Sequence, residues 1–350
     1  MELSAYTLSL LDDIERRIDP DVEDNYRAQW EDFWNGNITE PCFSPKRNHI
    51  SKPSIEVKNI HINDCLTNLE WMLDAQLADV SGRLSSTGTA LGMRANYGSG
   101  IMTSIFGAEI FEMPRESSTL PTTRSLNDSD KVREILEKGI PDFHTGFGKD
   151  VLAFGELCAE VFENYPKIKK YVEVYHPDTQ GPLDIAELLW GGEMFFEMYD
   201  DPEFVHSVIR LITDTYKGFM DKWYSILPHP ENDICVHWGI MQRGPILLRL
   251  DSAMNLSAEF YDEYSKPYDR ELFEYYGGGC LHFCGRGDHY VPSLCEIESL
   301  NGLNLSQPEL NDMDVILRTV CSKGKKIFGL AGAAQFAEKS YMKKGILHTS

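Results

Sequence analysis

Apolar residues recur at helical spacing through the first part of the chain. Leu11, Ile14 and Ile18 follow one another at intervals of three and four residues, and the pattern predicts helix over residues 1–35. Similar spacing returns over residues 62–82. The stretch between these two segments is rich in Pro, Asn and Ser, so we expect a loop there.

Beyond residue 85 the pattern changes, because short apolar runs alternate with amphipathic segments. The strand candidates are "ALGMRANYG", "YVEVYHP", "DICVHWG", "PILLRLD", "GCLHFCG", "GLNLS" and "KKIFGLAG". The clearest helix is predicted over residues 201–227, where Asp201 is suited to cap the helix and the proline after it to begin the first turn. Further helices are predicted after Ser257, over residues 311–323 and over residues 335–344.

This alternation is typical of a parallel sheet with helices packed outside it. The number of strand candidates and their short connections favour an α/β fold, a (β/α)8 TIM barrel, over residues 86–350. Residues 1–85 are expected to form an N-terminal helical extension packed on that barrel, within one structural domain. An open dinucleotide-binding sheet is not favoured, since "YGSGIMTSIFG" lacks the G-x-G-x-x-G spacing.

Composition and charge narrow the classes of function. The 350 residues are 42% hydrophobic, which is enough for a large core, and the formal net charge is −22. That charge would repel phosphate backbones and anionic lipid headgroups, so we expect neither nucleic-acid nor membrane binding. The first residues lack a basic signal-peptide start, and no run of about 18 apolar residues occurs. Eight scattered cysteines, expected to be reduced thiols, complete the picture of a cytoplasmic protein.

Active sites of (β/α)8 barrels form at the carboxyl ends of the strands, so polar residues after the strand candidates are site candidates. The residues expected to act in catalysis are Asp251, Tyr97 and Asp178. The residues expected to contact the substrate, a small molecule, are Arg94, Asn255, His237, Arg286 and Gln307.

Most of these residues also have a purely structural interpretation. Tyr97 could be a packed aromatic residue, Asp178 could stabilise a turn, and His237 could lie in the core. Asn255 could cap or position the segment before the next helix, and Arg286 could pair with the aspartate two residues later. The pattern alone leaves these alternatives open.

The run "GCLHFCG" carries the most distinctive chemistry. Alternate residues of a strand project to one side, so Cys280, His282 and Cys284 share a face. His282 and Cys284 lie about 6–7 Å apart at Cα by strand geometry, and their side chains can converge on one Zn²⁺. Cys280 would lie about 13 Å from Cys284, which makes it a poor ligand. The alternative is a buried strand with two small thiols and a hydrogen-bonded core histidine.

The region around this run resembles a known family. In the uroporphyrinogen decarboxylase superfamily, a D-x-x-x-N-L-S-P-E element precedes a helix that ends near a Pro-Tyr pair, and a strand reading "hHxCG" follows. The matching residues here are Asp251, Asn255, Leu256, Ser257, Glu259, Pro267, Tyr268, His282, Cys284 and Gly285. The resemblance is clear over residues 245–330, looser over 170–227 and slight over 1–90. It implies a (β/α)8 barrel.

Two branches of that superfamily imply different chemistries. True uroporphyrinogen decarboxylases carry an Arg-containing segment like "RQAGRY" near the N-terminus, and this chain has none. Its net charge of −22 also suits a polycarboxylate substrate poorly. The other branch contains corrinoid-dependent methyltransferases, in which His-x-Cys and a later Cys hold Zn²⁺ and a thiol accepts the methyl group. His282 and Cys284 match the first two of those ligands.

The third zinc ligand departs from the family pattern. The tail "GILHTS" offers His348 and no cysteine, so His348 is the substitute that we assign, with His237 and Asp251 as alternatives. The resemblance therefore implies a zinc-dependent methyltransferase that acts with a corrinoid protein or a small methylated compound. The alternatives are a metal-independent decarboxylase of an acidic, tetrapyrrole-like substrate and a non-catalytic corrinoid- or tetrapyrrole-binding barrel. The apolar N-terminal helices would either cover one end of the barrel or form a homodimer interface.

Overall fold

The computed structural model describes residues 2–349, and their fold is mixed α/β. The helices are α1 (Ala5–Arg17), α2 (Pro20–Asn35), α3 (Ile62–Cys65), α4 (Leu69–Arg83), α5 (Ile101–Ile105), α6 (Ser129–Lys138), α7 (Gly146–Phe162), α8 (Pro166–Tyr171), α9 (Pro182–Trp190), α10 (Glu193–Asp200), α11 (Pro202–Ile226), α12 (Ala258–Tyr264), α13 (Lys266–Tyr275), α14 (Val291–Leu294), α15 (Met313–Lys323) and α16 (Ala334–Ala337). Short 3-10 helices lie at Arg115–Ser117, Ser252–Asn255 and Pro308–Leu310.

The strands are short and lie mostly in the second half of the chain. They are β1 (Cys42–Phe43), β2 (Gly92–Met93), β3 (Ile110–Phe111), β4 (Thr122–Thr123), β5 (Glu173–Val174), β6 (Ile234–His237), β7 (Ile240–Arg243), β8 (Ile246–Arg249), β9 (Gly279–Phe283), β10 (Leu300–Leu305), β11 (Lys326–Ile327) and β12 (Leu347–His348). All seven predicted runs contain a strand, so the predicted strand positions are confirmed.

The largest sheet within residues 2–349 has six parallel strands in the order β1-β12-β11-β10-β9-β8. A second parallel pair joins β2 to β5, while β3–β4 and β6–β7 are antiparallel hairpins. The prediction of a parallel sheet with helices between its strands is confirmed at this level. The antiparallel pairing of β6 with β7 was not predicted, because a two-residue turn after His237 reverses the chain and adds a strand that was not among the candidates.

Helix boundaries follow the predicted capping signals closely. For α11, the side chain of Asp201 accepts the backbone N–H of Phe204 at 3.2 Å, and a proline occupies the first turn.

The prediction of a helix over residues 335–344 is wrong, since α16 ends at Ala337. There the N–H of Lys339 bonds the carbonyl of Phe336 at 3.2 Å, three residues back, and the chain continues in turns.

Helix α2 covers one face of the parallel sheet. Trp30 and Phe33 are 0% exposed and belong to the same apolar cluster as Leu247 and Cys280, which point from β8 and β9. Successive residues of a strand alternate between faces, so the residues two positions further along each strand share this face. The apolar stripe of α2 is thus buried in the chain's own core.

Two further observations concern the whole chain. All eight cysteines are free thiols. Within residues 2–349, no helix combines the length and the apolar character that crossing a membrane requires.

A buried carboxylate on α13 makes stability depend on pH. Asp269 is 1% exposed, and Ser265 Oγ donates to its Oδ2 at 2.8 Å. Burial raises the pKa of Asp269 to about 7 from 3.8. Between these two pKa values the unfolded chain has released its proton and the folded chain keeps it, so the free energy of unfolding falls as pH rises. The loss is complete above a pH of about 7 and amounts to roughly 4 kcal/mol.

Asp269→Asn is therefore expected to be more stable than the wild type at about pH 8.5, because the amide carries no charge to bury. The margin should shrink at about pH 5.5, where most of the folded wild type keeps its proton. Thermal unfolding of both proteins at the two pH values measures the margins. Equal margins at both pH values would contradict the assignment.

Candidate metal centre

Three side chains of metal-ligand type meet at the carboxyl ends of β8 and β9. One ligand atom from each of Asp251, His282 and Cys284 lies within 4.8 Å of the other two. Cys284 Sγ and His282 Nε2 are 3.4 Å apart. A tetrahedral zinc site with ordinary Zn–N and Zn–S bonds has an edge of about 3.5 Å between these atoms. The arrangement thus fits a zinc ion with little movement of either side chain.

Sheet register places His282 in a row of polar residues. Arg249 of β8 and Asn304 of β10 are both its direct neighbours across the parallel ladders. Asn304 Oδ1 lies 2.6 Å from His282 Nδ1, and Asn304 Nδ2 donates to the carbonyl of Phe328 at 2.7 Å. The second bond fixes the amide orientation, so His282 Nδ1 must be the donor to Asn304 Oδ1.

This assignment leaves the lone pair of His282 Nε2 directed toward Cys284. Burial lowers the pKa of His282, which favours the neutral ring that binds metals. A hydrogen bond from the second ring nitrogen to a carbonyl-type oxygen is the usual support of a zinc-binding histidine.

Asp251 is held from two sides. Its Oδ1 accepts the backbone N–H of Cys284 at 2.6 Å, which fixes the aspartate against the end of β9. Its own backbone N–H and that of Ser252 each donate to the Asp184 carboxylate at 2.8 Å. Burial and the nearby Asp251 carboxylate raise the pKa of Asp184 to about 8. Asp184 on α9 therefore anchors the loop that presents Asp251.

Cys284 is half-buried, as is Asp251, whereas His282 is buried. Its thiol lies 3.4 Å from Ser306 Oγ, and burial raises the pKa of the thiol above its usual value. Gly285 follows with φ of +75°, where a Cβ atom would lie 2.6 Å from Met254 Sδ. Gln307 Oε1 accepts the N–H of Gly285 at 2.6 Å, so this turn is held in place. The tight turn allows the strand to end directly after the thiol.

A cavity of about 290 Å³ lies beside these residues. Its lining consists of Ser99, Asp178, Gln180, Asp184, Glu187, Leu188, Trp238, Arg249, Asp251, Ser252 and His282. Three protein ligands with space beside them are typical of a catalytic zinc site, because substrate or water takes the fourth position. The cavity is therefore where a reacting molecule would meet the metal.

Asp178 organises the cationic side of the cavity. Its carboxylate lies 3.0 Å from Arg249 Nε and 3.2 Å from Arg94 Nη1. Burial alone would raise the pKa of Asp178, but the two guanidinium groups lower it below its usual value. Arg249 Nη2 also donates to His237 Nε2 at 2.6 Å. This bond engages Nε2 of His237, and burial lowers the pKa of His237 well below its usual value.

The side chain of Trp238 lines the cavity, and the backbone of this residue is strained. It has φ of +51° and precedes Gly239, with φ of +78°, in the turn between β6 and β7. A left-handed conformation is costly for a bulky residue, and such strain is concentrated at functional sites. The indole ring lies 4.9 Å from the His282 ring, and the Arg249 guanidinium lies 5.0 Å from the indole centroid. The turn thus packs an aromatic side chain against a proposed metal ligand.

The structure does not bring His348 to this group. Its ring lies 4.5 Å from Trp30, and its Nδ1 accepts the N–H of Gly329 at 2.9 Å. Strand β12 is separated from β9 by β11 and β10 in the sheet, which amounts to roughly 14 Å at ordinary strand spacing. Asp251, an alternative third ligand from the sequence, lies beside His282 and Cys284 instead. Cys280 is also outside the group, with its thiol 3.4 Å from the carbonyl of Arg243.

Several other predicted site residues lie outside the cavity lining. Tyr97 is 1% exposed, its ring packs 5.3 Å from Phe147, and burial raises its pKa. Asn255 is exposed at the end of a 3-10 helix. The Arg286 side chain is 63% exposed and pairs with Asp288 at 2.7 Å, as its structural interpretation predicts.

Four residues that line the cavity or contact the proposed ligands were missed by the sequence reasoning: Arg249, Asn304, Asp184 and Glu187. Arg249 in "PILLRLD" and Asn304 in "GLNLS" are single polar residues inside apolar strand runs, which was the available signal. Asp184 and Glu187 are spaced three apart at the start of α9, so they share one face of that helix.

Comparison with known proteins adds no further likeness: no family model matches the chain, and no curated protein matches it.

Proposed function

We propose that the protein is a zinc-dependent methyltransferase that transfers a methyl group to a small thiol. The observation that carries the proposal is the convergence of Asp251, His282 and Cys284 next to a cavity. Two anionic ligands and one imidazole suit Zn²⁺, and the fourth position would face the cavity. When bound, zinc would lower the pKa of a coordinated thiol, so that the nucleophilic thiolate is present near neutral pH.

The residues around the ligands have supporting roles in this proposal. Asn304 holds His282 in the tautomer that directs Nε2 to the metal. Asp184 positions the loop of Asp251, and Trp238 restricts the movement of the His282 ring. Arg249 supplies positive charge at the cavity wall and pairs with Asp178, whose other carboxylate oxygen pairs with Arg94.

A methylated corrinoid on a partner protein, or a small methylated compound, is the proposed methyl donor. The resemblance of residues 251–285 to the uroporphyrinogen decarboxylase superfamily supports a corrinoid. The metal-independent decarboxylase is less well supported, because Tyr97 lies outside the cavity lining and Arg94 is already paired with Asp178.

We also propose that the parallel strands belong to one (β/α)8 barrel made of β2, β5, β6 and β8 to β12. Hydrogen bonds from backbone N–H groups to side chains support closure of the barrel between strands that no sheet ladder joins. Val236 N–H on β6 donates to Glu173 Oε2 on β5 at 2.8 Å. Leu247 N–H on β8 donates to His176 Nε2, just after β5, at 2.9 Å.

A methyl-transfer assay tests the activity. Zinc-loaded protein with methylcobalamin and a small thiol is expected to form the methyl thioether, as the sulfur bonds to the methyl carbon and the electron pair of the carbon–cobalt bond stays on cobalt. Loss of methylcobalamin absorbance and mass spectrometry of the thioether measure the reaction. Cys284→Ala should be inactive, and Cys280→Ala, on the same strand, should remain active. Absence of thioether with zinc-loaded wild type, for methylcobalamin and for small methylated donors, would refute the proposal.

The support of His282 by Asn304 makes a separate prediction. Asn304→Ala is expected to weaken zinc affinity by about 10–100-fold, because His282 Nδ1 loses its acceptor. Competition with a chromophoric chelator measures the affinity. Asn301→Ala is the matched control on the same strand, since Asn301 bonds the carbonyl of Arg243 at 3.2 Å and not the site. An equal loss of affinity in both variants would contradict the role of Asn304.

A further inference from the structure

Glu187 is a cavity carboxylate without a partner of opposite charge. It lies on α9, one turn after Asp184, and is half-buried in the cavity lining. Ser252 Oγ donates to its Oε2 at 3.3 Å. Among residues 2–349, no lysine, arginine or histidine forms an ion pair with it. Such a carboxylate, facing a small cavity, is available to a ligand.

The other charges of the cavity are accounted for by their neighbours. Asp178 is matched by Arg249, and Arg94 adds one positive charge beside it. The backbone N–H groups of Asp251 and Ser252 both bind the Asp184 carboxylate, so its oxygens are engaged within the protein.

With a zinc ion bound, the charge balance of the cavity indicates which charge the substrate would carry. Asp251 and the Cys284 thiolate would offset the two positive charges of zinc. A substrate thiolate would offset the extra positive charge of Arg94. Of the two remaining carboxylates, Asp184 is engaged by two backbone N–H groups, and Glu187 is the one that a cationic group on the substrate would balance.

We propose that the methyl acceptor is a small thiol that carries an ammonium group, which Glu187 binds while the sulfur faces Asp251, His282 and Cys284. This inference rests on the proposed function, and it names the chemical class of the acceptor. Ser252 adjoins Asp251 and donates to Glu187, and Asp251, His282 and Glu187 line the same cavity of about 290 Å³. A thiol with a short carbon stem is therefore of suitable length.

Three thiols with the same two-carbon stem test the charge preference. Cysteamine is cationic, 2-mercaptoethanol is neutral and 2-mercaptoethanesulfonate is anionic. Thiocholine serves as a second cationic probe whose nitrogen cannot coordinate a metal. Titration calorimetry on zinc-loaded protein measures each dissociation constant, and the zinc content is checked after each titration.

Cysteamine, whose ammonium group can donate to Glu187, is expected to bind about tenfold more tightly than 2-mercaptoethanol, as is usual for a hydrogen-bonded pair of charges. Thiocholine, which has no N–H to donate, should also bind more tightly than 2-mercaptoethanol, through charge attraction alone. The sulfonate should bind most weakly. Glu187→Gln should remove the preference for cations and leave the affinity for 2-mercaptoethanol unchanged. Glu193→Gln is the matched control, because exposed Glu193 accepts a bond of the same kind from Ser129 Oγ at 3.3 Å. Its charge preference should equal that of the wild type.

The outcomes separate the two proposals. If the protein holds zinc and binds 2-mercaptoethanol but shows no cation preference, or keeps the preference in Glu187→Gln, the inference about the acceptor is wrong and the proposed function stands. If neither zinc nor any thiol binds, both are wrong. Should Glu187→Gln fail to fold, Glu187→Ser is the replacement, and it must likewise lose the preference.

Discussion

The His282→Ala protein is expected to lose tight zinc binding. His282 supplies the one neutral nitrogen of the group, and its Nε2 lies 3.4 Å from Cys284 Sγ. Removal of a direct ligand should lower the affinity by more than the roughly 10–100-fold that loss of an outer hydrogen-bond partner costs. Metal content after dialysis against a zinc buffer, together with chelator competition, measures the loss.

Two control variants show whether the effect belongs to this group of residues. Cys280→Ala removes a thiol from the same face of β9, two residues before His282, and should leave zinc binding intact. His348→Asn keeps an acceptor for the N–H of Gly329 and removes the imidazole that the sequence had suggested as a ligand. Zinc retained by His282→Ala, or lost equally from Cys280→Ala, would refute the proposed site.

Local pattern was sufficient to find two of the three proposed ligands. Strand alternation placed His282 and Cys284 on one face, and the glycine after them marked the end of the strand. Both statements depend on neighbours within a few residues along the chain. The same holds for α11, whose start at Pro202 follows from the Asp-Pro capping signal.

The third ligand depends on strand order, which local pattern does not contain. Asp251 and His348 both lie at strand ends, and the sequence offers no measure of their distance from His282. In the sheet, β8 is next to β9, whereas β12 is three positions away, so Asp251 reaches the site and His348 does not. The role of Asn304 likewise follows from register, because it is the direct neighbour of His282 on β10.

The fact that a residue follows a strand also does not show which way its side chain points. Tyr97 follows β2 closely, yet its ring packs against Phe147 in the apolar core. Ser99, two residues later, lines the cavity. In an irregular segment after a strand of two residues, strict alternation cannot be extrapolated.

The buried ion pair between Arg47 and Glu23 should be the largest single electrostatic contribution to the attachment of α2. Arg47 Nε and Nη2 lie 2.5 Å and 2.8 Å from the two oxygens of Glu23, and the side chains are 1% and 3% exposed. The guanidinium also donates to the carbonyls of Ser86 and Thr89, in the loop before β2. The pair therefore connects α2, which covers the sheet, to the loop that leads into β2.

Arg47→Met is expected to lower the free energy of unfolding by about 3–5 kcal/mol, because Glu23 would remain buried without a counter-charge. Glu23→Leu combined with Arg47→Met should recover part of that loss, since no uncompensated charge remains. The matched control is Arg115→Met, which breaks an equally bidentate pair with Asp64 whose side chains are 57% and 33% exposed. That change should cost far less, because both charges of an exposed pair remain hydrated. Chemical unfolding of the wild type, the two single variants and the double variant measures these differences. If the double variant is no more stable than Arg47→Met, burial of the unpaired Glu23 carboxylate is not the cause of the loss.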